Sequence, residues 1–103
     1  MSDTVKLPEE CETMREVRIG VDTTDRELMA LLDRRFGYMR AAARIKTDRN
    51  VVRDEARKAE VIGNAVAVAQ ALDLPSEKIA QIWDLLVETS IAYELVEWDR
   101  QRA

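Results

Sequence analysis

RIGVDTTDRELMALLDRRFGYMRAAARIK, Arg18 to Lys46, holds one row of residues at alternating steps of three and four: Arg18, Val21, Asp25, Leu28, Leu32, Arg35, Met39, Ala42 and Lys46. That spacing is the seam of a long helix that packs against other helices. A seam is ordinarily apolar, yet this one carries Arg18 and Asp25 at its start, Arg35 in its middle and Lys46 at its end. Lys and Arg are seldom fully buried without a partner. Cations on a core-facing row therefore require an anion, and the identity of that anion is the question the sequence poses.

Extending the periodicity in both directions predicts a first helix over 12–47, roughly 50 Å long at 1.5 Å per residue. Gly20 and Gly37 each weaken it by about 1 kcal/mol relative to Ala. Neither has a neighbouring Pro, so one helix is expected, with a bend allowed. Residues 1–11 read as polar and irregular, with Pro8, Glu9 and Glu10 suited to a first helical turn. Thr47-Asp48-Arg49-Asn50 is a cluster of turn formers. A second helix is expected from Val52 or Arg53 to Leu72, with Asp54, Arg57, Val61, Ala65, Val68 and Leu72 as its inward row. Asp73-Leu74-Pro75-Ser76 breaks the chain again, and Ser76 is the expected N-cap of a third helix ending near Arg100. Its row is Ile79, Trp83, Leu86, Ser90 and Glu94, with Leu95 and Trp98 beyond. The expected fold class is all-α, three helices in one domain over 12–103. So long a first helix leaves much of its seam exposed unless a second copy covers it, which predicts an intertwined homodimer.

Composition narrows the function. At 103 residues and 47% hydrophobic content the chain is long enough and apolar enough for one folded domain. Its 16 basic and 20 acidic residues give a net charge of -4, which argues against nonspecific nucleic-acid binding, since that requires a basic surface. The chain has no His, which removes the commonest general base and metal ligand and makes a Ser-His-Asp triad or a zinc site improbable. Cys11 is the single cysteine, so no internal disulfide forms, and a reducing compartment is expected. No apolar run approaches the ~20 residues of a membrane span, and MSDTVKLPEE lacks the apolar core of a signal peptide. The expectation is a soluble, cytoplasmic protein that contacts neither membrane nor nucleic acid.

Arg18 and Arg35 lie about 25 Å apart along one helix, too far to hold one small ligand within a chain. If two long helices pair antiparallel, Arg18 of one chain approaches Arg35 of the other, giving two equivalent sites per dimer. The turn after Lys46 folds Arg57 back towards it, and Ser90 and Glu94, one turn apart, close the pocket from the third helix. Several cations, a few hydrogen-bonding groups and no nucleophile or metal suit a small di-anion. Arg grips a carboxylate bidentately and Lys acts as a point charge. An enzyme built this way works by positioning and electrostatic stabilisation alone. Periodicity leaves two readings open: an anion-binding helical dimer, or a plain helical dimer whose Arg side chains snorkel past apolar neighbours.

The sequence resembles the all-helical chorismate mutase family, including its bacterial isochorismate-pyruvate lyases. The likeness runs through Val17-Arg18, Val21-Asp22 and Asp25, Glu27-Leu28 to Leu31-Leu32, Arg34-Arg35, Ala43-Arg44-Ile45-Lys46, Val52-Arg53-Asp54-Glu55-Ala56-Arg57, and Ser90 to Trp98. It covers nearly the whole chain after Pro8, and the spacing of Arg18, Arg35, Lys46 and Arg57 is its most specific part. The resemblance implies a homodimer of three-helix subunits with two cofactor-free sites. It implies that Arg18, donated across the interface, and Arg57 bind one substrate carboxylate and that Arg35 binds the other. Lys46 would contact the ether oxygen, Asp54 the ring hydroxyl region, Ser90 a carboxylate, and Glu94 would stand where many members have a Gln that donates to the ether oxygen. Lys58 stands where typical mutases have a Glu; its plain alternative is a solvated helix position. A carboxylate donates only when protonated, so turnover through Glu94 is expected to fall as pH rises. The activity implied first is chorismate mutase, in aromatic amino acid biosynthesis, towards which Arg53-Asp54 before Arg57 leans. Lys58 and the Ile91 to Trp98 region lean towards isochorismate-pyruvate lyase. A catalytically weak binding or regulatory dimer is the third reading.

Overall fold

The structure is a computed structural model that describes residues 4–103; the first three residues of the expected irregular segment lie outside it. A 3-10 turn, Pro8–Glu10, precedes three α-helices: α1, Met14–Ile45; α2, Glu55–Ala71; and α3, Ser76–Gln101. A second 3-10 turn, Arg49–Val51, joins α1 to α2. The all-α expectation holds, and the described residues contain no strand.

α1 begins two residues later than its periodicity suggests because Thr13 and Glu16 form a reciprocal cap. Glu16 N donates to Thr13 Oγ1 at 3.2 Å, and Thr13 N donates to Glu16 Oε1 at 3.1 Å. Glu16 also pairs with Lys6, whose hydrogen bond is the main reason its carboxyl is held down at about 2. The helix continues through Gly20 and Gly37 without interruption.

The chain divides into two compact units, residues up to Arg35 and residues from Phe36 onward. In the first, the N-terminal segment lies against the start of α1, and Val5, Leu7, Pro8, Val17 and Val21 line a cavity of about 470 Å³. The seam of α1 stays open there: Val21 and Leu28 are each 51% exposed.

In the second unit α2 packs on α3. Val52, Val87 and Ile91 are buried, with Val61, Ile62, Leu95 and Trp98 against them. Val52, which with Arg53 was the expected start of the second helix, stands before it. Val52 plugs this core, and α2 starts only after Asp54, whose side chain accepts from Arg57 N at 3.0 Å as the N-cap. The last turns of α1 join the unit through Ala43, which is fully buried, and through Phe36, whose ring meets Tyr93 edge-on at 4.9 Å. The expected inward row of α2 is only partly buried: Val68 and Leu72 are exposed and, with Arg57, Val61 and Trp83, line an open groove of about 440 Å³.

The α2–α3 connection is a Schellman turn. Leu74 N donates to Ala69 O at 2.8 Å, Asp73 N donates to Gln70 O at 3.2 Å, and Asp73 takes the left-handed conformation, φ 57°. Ser76 is not the N-cap of α3; Pro75 holds that position, Ser76 is the first helical residue, and no side chain caps the end. Left-handed backbone favours glycine over any residue with a Cβ. Asp73→Gly should therefore raise stability by about 1 kcal/mol, seen as a rise of about 4–8 °C in the thermal midpoint.

Candidate active site

Lys46 is the residue that leaves α1, its backbone N–H still bonded to Ala42 O at 2.9 Å. Its ammonium donates to Glu94 Oε2 at 2.8 Å. Glu94 is on the buried face of α3 with 4% exposure, so its carboxylate stands where water is largely excluded. A carboxylate there requires a cation, since an unpaired buried charge is costly. Ser90, one turn earlier and 3% exposed, donates from its hydroxyl to Leu86 O at 2.7 Å. Glu94 and Ser90 thus share the inner face of α3, with the Lys46 ammonium against Glu94.

Both ends of Lys46 are held. Trp98 Nε1 donates to the Lys46 carbonyl at 3.0 Å and Arg102 donates to the same oxygen at 2.7 Å. Arg102 also bonds Ala43 O at 3.0 Å and Trp98 O at 3.2 Å, and its guanidinium lies 4.0 Å above the Trp98 ring. Gln101 Nε2 reaches Arg40 O at 3.2 Å. Nothing local in the sequence announces these contacts, because the acceptors are backbone carbonyls far along the chain.

The other predicted residues stand on α1 and at the start of α2. Arg57 opens α2 beside Asp54, but its exposed guanidinium pairs with Glu60 rather than turning back to Lys46. Arg18 is exposed and Arg35 half-buried on α1. Among the described residues no cluster of His, Cys, Asp or Glu is placed to hold a metal ion.

Lys58 is more than a solvated helix position. It pairs with Asp84 at 2.9 Å and Glu88 at 2.8 Å, and Arg53 grips the same Glu88 at 2.8 Å, so the two cations tie α2 and the turn before it to α3. Hydrogen bonds from Arg53 first, then Lys58, hold the Glu88 carboxyl down at about 2 against an ordinary 4.5. A carboxyl lowered on folding stabilises fully above its unfolded value and loses that contribution as pH falls through its folded one. The stability difference between wild type and Glu88→Gln should be full at neutral pH and narrow as pH falls from about 4.5 towards 2, as read by urea unfolding.

Residues 17–95 match the family model described as Chorismate mutase type II. The chain belongs to that family. It is also 24% identical over 98 residues to a Pseudomonas aeruginosa protein described as isochorismate pyruvate lyase, an alignment covering 95% of this chain and 97% of that one. No solved structure matches the chain significantly. No described helix is long and apolar enough to cross a membrane.

Proposed function

We propose that the chain is a chorismate mutase, converting chorismate to prephenate as one 12–103 domain per subunit in a cytoplasmic homodimer. The observation that carries this reading is the Lys46–Glu94 pair: an ammonium fixed at 2.8 Å by a buried carboxylate, within a family of chorismate mutase type. The rearrangement breaks a C–O bond and forms a C–C bond in one step, so the protein needs only to hold the reactive conformer and to stabilise charge on the ether oxygen. Lys46 donates to that oxygen. Arg35 and Arg57 grip the two carboxylates, with Arg18 supplied by the second chain beside Arg57, Ser90 near a carboxylate and Asp54 towards the ring hydroxyl. The exposed seam at Val21 and Leu28 supports a second chain as its cover.

Glu94 donates to the ether oxygen only when protonated. Glu94→Gln keeps an acceptor for the Lys46 ammonium and adds a permanent N–H donor, so it should sustain turnover; a loss as deep as that of Lys46→Met would remove this role. A second reading, elimination of pyruvate from isochorismate to give salicylate, is favoured by the description of the Pseudomonas relative. It uses the same cations on the same kind of ether oxygen. Incubation with each substrate separates the two: prephenate from chorismate supports the mutase, salicylate from isochorismate the lyase, and neither product refutes both.

A further inference from the structure

We propose that Trp98 and Arg102 are positioning residues for Lys46, setting where its ammonium stands by clamping its backbone carbonyl; this rests on Lys46 acting at the ether oxygen. The last carbonyls of a helix have no partner within it. At the end of α1 those of Ala43 and Lys46 are instead taken by side chains from the end of α3, Arg102 just past its last turn and Trp98 within it, while Gln101 adds a bond to the Arg40 carbonyl earlier in α1. Two donors converge on the Lys46 oxygen, at 2.7 and 3.0 Å, and so use both of its acceptor positions. Glu94 and Trp98 are one turn apart on α3, so one stripe of that helix holds the Nζ of Lys46 through Glu94 and its carbonyl through Trp98. The Arg102 guanidinium stacks on the Trp98 ring and bonds three carbonyls at once. A planar fork can lie flat on the ring and donate from its edge to several carbonyls, whereas an ammonium has three donors but no flat face to stack.

A residue at a helix end frays unless it is tied down. Without the clamp the backbone at Lys46 moves and carries the ammonium off the reacting oxygen, while the carboxylate-binding arginines stay in place. The signature is therefore a fall in kcat at nearly constant KM. Full-length Trp98→Phe keeps an aromatic ring beneath Arg102 and removes only the N–H donor; Arg102→Ala removes the fork. Each should lower kcat about tenfold and change KM less than about twofold. Placed on Lys46→Met, each should cost less than a further twofold or so, because the group being positioned is gone. Folded variants that keep wild-type kcat, or losses that multiply in full with that of Lys46→Met, would overturn the positioning role. If Arg102→Ala fails to fold, Trp98→Phe decides the matter alone. A wild-type chain inert towards both chorismate and isochorismate would overturn the functional reading and the clamp's role with it, whereas an active wild type with unaffected variants overturns the clamp alone.

Discussion

Lys46→Met should lower turnover by about a hundred- to a thousandfold, the usual loss when one donor to a developing oxyanion is removed. The same change should destabilise the fold by about 3 kcal/mol, because it leaves the Glu94 carboxylate buried without a cation. The Glu94 side chain is 5% exposed and cannot turn to water, whereas the Lys46 side chain, 30% exposed, can. Glu94→Ala should therefore be the milder change in stability. Steady-state kinetics and urea unfolding of the two variants test the pair together. Equal rates for Lys46→Met and wild type would remove Lys46 from the chemistry, whatever the stability result.

The second large effect concerns the assembly. Arg18→Ala and Arg57→Ala should each abolish turnover if, as proposed, each binds one substrate carboxylate. If Arg18 serves the partner's site, a dimer holding one chain of each kind has one intact site and one doubly damaged site. Random pairing of equal amounts then restores about one quarter of wild-type activity. Mixing after denaturation and refolding, with activity measured before and after, gives the answer. If mixing restores nothing while mixed dimers form, Arg18 and Arg57 act within one chain. The exposed Val21 and Leu28, on the same row as Arg18, are the structural reason to expect a second chain there.

The inward placement of Ser90 and Glu94 was legible in the sequence because each falls on one helical row, and helical period alone places such residues on a common side. Helix ends were less so. α2 starts at Glu55 because Asp54 caps it, and α3 starts at Ser76 because Pro75 precedes it, and these short-range choices outweigh an apolar period. The role of Lys58 was hidden for a different reason. Its partners, Asp84 and Glu88, come from another helix, and pairing across helices depends on packing that no single row reveals. Arg57 shows the limit of reading rows: its position on the α2 row follows from spacing, but its guanidinium turns to Glu60 and lines an open groove. The clamp on Lys46 is the extreme case, since a backbone carbonyl has no sequence signature at all.

The most direct test is the loss of chorismate in the presence of purified wild-type protein, with no cofactor or metal added, compared with the same solution without protein. We expect a saturable reaction yielding prephenate at least about ten-thousandfold faster than the spontaneous one, within the ordinary range of enzymatic acceleration. A rate indistinguishable from buffer, with isochorismate equally untouched, would contradict the assignment of this helical chain as a mutase or a lyase.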